Sequence, residues 1–140
     1  MDPNKKLSVT TLEAPERYDY FIRKICDFEV VWGLFDEGWA AGSVDGTDVI
    51  PVWPERELAA ECATGDWASL SPREIPLEAF VTKWIPGATA DASRFAIFPT
   101  PSQKAIVVEN ATLLADIEAE RAEAGEEAPG GDGKGGVRPE

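Results

Sequence analysis

Between Glu29 and Trp53 the chain carries three short runs of β-type residues parted by turn signals, and no other stretch limits the fold as much. Glu29 to Asp36 is β-branched and aromatic, with apolar residues on both faces. Trp39 to Val44 follows Gly38, and Asp48 to Trp53 returns after Asp45-Gly46. An Asp-Gly pair suits a two-residue hairpin, whose two central positions both need positive φ. Two successive hairpins predict an antiparallel meander. Strands apolar on both faces predict cover on both sides, at least at the centre of the sheet.

Helical patterns flank this stretch. Pro15 fits a first helical position and Glu16 a helix N-terminus. Tyr18, Phe21, Ile22, Ile25 and Cys26 then repeat at the spacing of one helix face. Pro54 opens a second pattern, with Glu55 and Glu57 in its first turn, Leu58, Ala59 and Cys62 on one side, and Gly65 beyond its end. Trp67 to Ile75 is irregular, with room for a short strand. Pro76 starts a third helix along Leu77, Phe80, Val81 and Trp84, which Pro86-Gly87 is expected to stop. Arg94 to Phe98 and Ala105 to Val108 read as a second strand pair around Pro99-Thr100-Pro101-Ser102. Asn110 is placed to cap a last helix through Leu113, Leu114 and Ile117.

The order α-β-β-β-α-(β)-α-β-β-α predicts an α+β domain, helices packed on a mostly antiparallel sheet. Its expected limits are residues 7–123. Residues 1–6 form a flexible polar leader in this reading, and residues 124–140 a disordered Gly/Glu-rich tail. The longest apolar runs are far short of the ~20 residues of a membrane span. No apolar stretch follows Lys5 and Lys6, so no secretory signal is expected and the cytoplasm is the expected location.

Of 140 residues, 26 are acidic and 13 basic, a net charge of −13. Such a surface repels phosphate backbones and anionic membranes, so neither direct nucleic-acid binding nor membrane binding is expected. The chain has no histidine, which rules out Cys/His zinc sites, Cys–His nucleophiles and Ser–His–Asp triads within it. Cys26 and Cys62, each in an apolar helical register, are expected to be buried free thiols.

Several spaced motifs resemble one group: Arg17-Tyr18-Asp19-Tyr20-Phe21-Ile22, Val31-Trp32-Gly33-Leu34, Glu37-Gly38-Trp39, Pro51-Val52-Trp53-Pro54, Phe80-Val81-Thr82-Lys83-Trp84 and Phe98-Pro99-Thr100-Pro101. That group is the bacterial domain-of-unknown-function family numbered 2750, and the resemblance spans roughly residues 14–122. A fainter likeness, in the order of elements, is to the SseB-type N-terminal domain. The first resemblance supports the fold and implies no catalytic residue; the second hints at an accessory or partner role.

No chemical motif holds up. Ser43-Val44-Asp45-Gly46-Thr47 approaches a phosphotransferase signature, but Ser43 stands where the aspartyl nucleophile is needed. Carboxylate pairs at Asp36-Glu37, Glu55/Glu57 and Asp45/Asp48 fall at turns or helix starts, where negative charge is stabilising in itself. A divalent-cation or small-ligand site near Asp36, Asp45 and Asp48, enzymatic or not, is one alternative. An acidic nucleic-acid mimic is another. No Gly-rich loop joins a strand to a helix, and no cofactor or metal is expected. Five Trp and the strand-ending pairs Trp53-Pro54 and Phe98-Pro99 stand out. If those ends are neighbours, Trp53, Pro54, Phe98 and Pro99 would line an apolar groove. The leading expectation is a non-enzymatic interaction or regulatory module that binds a protein or peptide.

Overall fold

Asp2 and Pro3 start the first helix: the Asp2 carboxylate accepts from the Lys5 backbone N–H, and Pro3 occupies the first turn. In this computed structural model, which describes residues 2–127, helix α1 (Pro3–Thr10) starts inside the stretch 1–6 expected as a flexible polar leader, and it buries Val9. Helix α2 (Ala14–Phe28) follows through a reciprocal cap between Glu13 and Glu16. It buries Arg17, Tyr20, Phe21, Ile22 and Ile25, close to the expected stripe.

Strands β1 (Val30–Phe35), β2 (Gly42–Val44) and β3 (Thr47–Val52) lie at the expected places. Asp45 and Gly46 take φ of 51° and 82°, the signs a two-residue hairpin turn needs, and β2 pairs antiparallel with β3. The expected meander does not form. Only one bridge, Phe35 to Trp39, and the bond from the Ala40 N–H to the Leu34 carbonyl join β1 to the next segment. Instead β1 pairs antiparallel with β4 (Ser71–Pro76), from Val30 opposite Pro76 to Phe35 opposite Ser71. The Trp39 ring packs over Gly33 of β1, where a Cβ would meet it at 3.0 Å.

After helix α3 (Arg56–Glu61) and β4, the third predicted helix begins at Leu77 but passes through the expected stop. Helix α4 (Leu77–Ala79), a π turn (Phe80–Trp84) and helix α5 (Ile85–Ala90) form one rod containing Pro86 and Gly87. Pro86 has no N–H for the carbonyl four residues back, and the widened turn before it accommodates that gap. Strand β5 (Arg94–Ile97) pairs in parallel with β3 and antiparallel with β6 (Ile106–Val107). The four-stranded sheet therefore runs β2-β3-β5-β6 and meets the β1-β4 pair at the Trp32–Trp53 bridge, where the backbone bonds are 2.9 and 2.8 Å.

Helix α6 (Asn110–Glu127) closes the core against α2 with Leu113 and Ile117. Asn110 does not cap its own helix. Its amide donates to the Ser93 carbonyl and Thr89 hydroxyl, tying α6 to the end of α5. The tail expected from residue 124 begins inside α6, and its residues 128–140 lie outside the described residues. The fold is α+β, with mostly antiparallel sheets and helices packed on them. Among the described residues no helix is long and apolar enough to cross a membrane.

Candidate functional site

The two strand ends singled out by sequence are neighbours, but their rings point inward. The Phe98 N–H donates to the Val52 carbonyl at 2.9 Å, and the Trp53 indole N–H donates to the Pro99 carbonyl at 2.9 Å. Trp53 and Phe98 are both 0% exposed and Pro54 is buried; of the four expected groove residues only Pro99 reaches the surface, half-buried. The reason is the backbone of Phe98. Strand β5 stops at Ile97, and Phe98 takes φ of 53°, a left-handed conformation rare for a bulky residue. That twist turns its ring toward Tyr20 in the core and sends Pro99 outward.

A buried arginine holds this bend. The Arg17 guanidinium, 1% exposed, donates to the Phe98 carbonyl (3.2 Å), the Leu12 carbonyl (3.1 Å), the Gln103 side-chain oxygen (2.6 Å) and the Lys104 carbonyl (2.6 Å). Among the described residues it forms no ion pair, so neutral oxygens and the face of the Phe98 ring, 5.9 Å away, surround the cation. Burial lowers its pKa from 12.5. Gln103 in turn donates to the Thr10 and Leu12 carbonyls, and the Thr100 hydroxyl accepts from the Ser102 and Gln103 N–H groups. The loop from Pro99 to Lys104 is thereby fixed to the junction of α1 and α2.

This loop forms one wall of an apolar hollow on the outer face of the four-stranded sheet. Strand alternation sends Val52, Phe95 and Ile97 into the main core and Val49, Pro51 and Ala96 to the other side. Pro51 is tolerated because β2 ends its pairing at Val49 and β1 bridges only Trp53, so no neighbour needs an N–H there. Val49 and Ala96 are buried yet stand apart from the main core cluster. Over them lie Trp67, delivered by the short helical turn Gly65–Trp67, and the Pro99–Ala105 loop. The hollow has a volume of about 280 Å³. A second, of about 430 Å³, adjoins it on the side of Cys62, Thr64, Asp66 and Thr100; Gly42, Trp67 and Pro99 line both. Val44, on the edge strand, is 40% exposed beside the first.

Sequence reasoning missed Trp67, Lys104 and the Val49–Pro51–Ala96 floor. The apolar character of both faces of β3 was the available signal; what covers the second face was not legible. The other candidates do not assemble. Among the described residues no three Cys, Asp or Glu side chains gather closely enough to hold a metal ion, and Asp36, Asp45 and Asp48 form no such group. Glu55 accepts from the Tyr20 hydroxyl at 2.9 Å and pairs with Lys5 at 3.8 Å, a structural role. Both cysteines are free thiols, pushed up to about 11 by burial. A further hollow of about 380 Å³ between α2 and α6 is lined by charged groups, where the Tyr18 hydroxyl donates to Asp116.

A family model described as "Protein of unknown function (DUF2750)" matches residues 18–117, a span that contains every residue of the sheet-face hollow. No curated protein matches the chain.

Proposed function

We propose, from the premise that this chain belongs to the DUF2750 family of proteins of unknown function, that it is a non-enzymatic cytoplasmic interaction module. On this reading it takes an extended segment of a partner protein on the outer face of its four-stranded sheet. The observation that carries the proposal is the hollow beside the edge strand. Its floor is Val49, Pro51 and Ala96, its walls are Trp67 and Pro99, and among the described residues no α-helical residue lines it.

The edge strand supplies the second half of the argument. Val44 and Thr47 flank a two-residue turn and so bond each other, as do Gly42 and Val49 two positions on. Alternation then turns the Ser43 N–H and C=O away from β3, toward an open edge whose three residues are all exposed. An extended segment can add a backbone rung there and drop a side chain into the hollow, the usual division of labour in strand addition. Trp67 is half-buried, large and held edge-on against Trp53 at 6.3 Å, the kind of preorganised ring that dominates binding energy.

Titration of the isotope-labelled protein with a library of short extended peptides tests this. Binders are expected to move the amide signals of Ser43, Val49 and Ala96. Val44→Glu, an exposed position, is expected to weaken them by about 30-fold, roughly what ~2 kcal/mol represents, without lowering the melting temperature. Peptides that bind elsewhere, or with equal affinity to this variant, would refute the proposal.

A further inference from the structure

Among the described residues, Lys104 is the one charged side chain lining the apolar hollow. We infer that the hollow reads a chain terminus: the C-terminal residue of a partner segment, with a branched apolar side chain on the sheet floor and its α-carboxylate at Lys104. The inference rests on the reading of this groove as a peptide site and names the part of the peptide it selects.

Size is the first argument. At about 280 Å³ the hollow falls below the ~300–1,000 Å³ typical of sites for drug-sized ligands. It suits one or two residues, and the Val49, Pro51 and Ala96 floor favours an aliphatic group over a polar one.

Charge is the second. The chain carries 26 acidic and 13 basic residues, and around the groove Asp45 sits at the β2–β3 turn and Asp66 lines the neighbouring hollow. A carboxylate is thus disfavoured at those places and favoured at Lys104. That asymmetry orients the ligand with its end at Lys104 and a basic residue, if it has one, near Asp66. An aspartate or glutamate side chain does not meet both demands, because its carboxylate takes the place of the apolar group. A terminal valine or leucine carries both on one residue.

Rigidity is the third. The lysine stem rises from a backbone that does not have to be ordered on binding. Arg17 holds the Lys104 carbonyl at 2.6 Å, and the Gln103 N–H is bonded to the Thr100 hydroxyl at 2.9 Å. The Lys104 ammonium is exposed and forms no ion pair among the described residues, so a ligand carboxylate displaces no internal partner. Ser43 lines the same hollow and offers its outward backbone groups to the residues just before the terminus.

The test uses an acetylated hexapeptide with lysine near its start and leucine as its last residue, made as the free acid and as the C-terminal amide. Binding to the full chain is measured by calorimetry, and the amide signals of Ser43, Ala96 and Lys104 locate it. The acid is expected to bind about tenfold tighter than the amide, the change that ~1.4 kcal/mol represents. Lys104→Met is expected to abolish that difference and Lys104→Arg to keep it. Acid and amide binding equally, with the signals of Ser43 and Ala96 still moving, would overturn the terminus while leaving the peptide groove standing. Neither peptide moving those signals would overturn both. Free 4-methylpentanoate binding as tightly as the peptide acid would overturn the choice of a chain end over a small apolar acid.

Discussion

Phe98 and Arg17 form a single device. A bulky residue with φ of 53° is strained by roughly 1–3 kcal/mol, and the surrounding bonds hold it there. Arg17 binds its carbonyl, Val52 binds its N–H, and the Trp53 indole and the Cys62 thiol both donate to the Pro99 carbonyl that follows. Removing the guanidinium takes a donor from four oxygens, of which the Leu12 carbonyl keeps one from Gln103. Arg17→Ala is therefore expected to destabilise by about 3 kcal/mol in urea unfolding, within the range of a broken buried network. Arg17→Lys is expected to recover little, because one ammonium cannot reach acceptors spread around a planar fork. A loss below about 1 kcal/mol would show that the bend holds without Arg17. Sequence pointed to Trp53 and Phe98 by their proline neighbours and left open whether the two strand ends meet and whether the rings are exposed or core. Their burial was not legible because the φ of Phe98 is held by contacts from α2, 81 positions away in the chain.

Among elements, local chemistry was the legible part. Asp45-Gly46 marks its hairpin because the turn is a property of two residues, and Pro15 and Glu16 mark α2 for the same reason. Long-range pairings were not legible. Strand β4 reads Ser-Pro-Arg-Glu-Ile-Pro, a sequence with prolines and charges, and becomes a strand through its ladder with β1. The parallel pairing of β3 with β5 depends on everything folded between them. The rod from Leu77 to Ala90 shows both sides of this. Its stripe was visible in part: Leu77 and Phe80 are buried, Val81 and Trp84 half-buried, and Ile85, outside the predicted stripe, is buried too; its passage through Pro86 was not visible, since a π turn leaves no signature in composition. Phe80 packs tilted against Phe95 within the core, ring centres 4.9 Å apart. Phe80→Ala is expected to destabilise by about 3–5 kcal/mol, the usual result of truncating a buried phenylalanine. A change of under about 1 kcal/mol in urea would mean the helix packs in another register.

For the whole molecule, one consequence of burial is its behaviour in alkali. Both thiols are raised by burial from 9.0 to about 11. The Tyr18 and Tyr20 hydroxyls are raised too, first by burial and then by their bonds to Asp116 and Glu55. In each case the folded protein favours the neutral form over the anion more than the unfolded chain does. The stability this contributes is complete below about pH 9, where the unfolded thiols are still protonated, and drains away as pH rises through the folded values. The melting temperature is accordingly expected to fall between pH 9 and 11, and Cys26→Ser with Cys62→Ser is expected to flatten part of that slope. A flat profile across that window would contradict the burial of these groups. Of the candidate groove, sequence named Trp53, Pro54, Phe98 and Pro99 at two strand ends, and of these only Pro99 lines the sheet-face hollow.

Four of the five tryptophans form two pairs. Trp39 and Trp84 stand edge to face at 4.8 Å and 83°, away from the sheet-face hollow. Rings that close share their electronic excitation, and such a pair splits into two circular dichroism bands of opposite sign that vanish when the chain unfolds. Trp67 lines the hollow, with Trp53 behind it. A ligand in the groove is thus expected to disturb the optical signal of Trp67 and Trp53 and to leave that of Trp39 and Trp84 as a report of native packing, in an unlabelled protein.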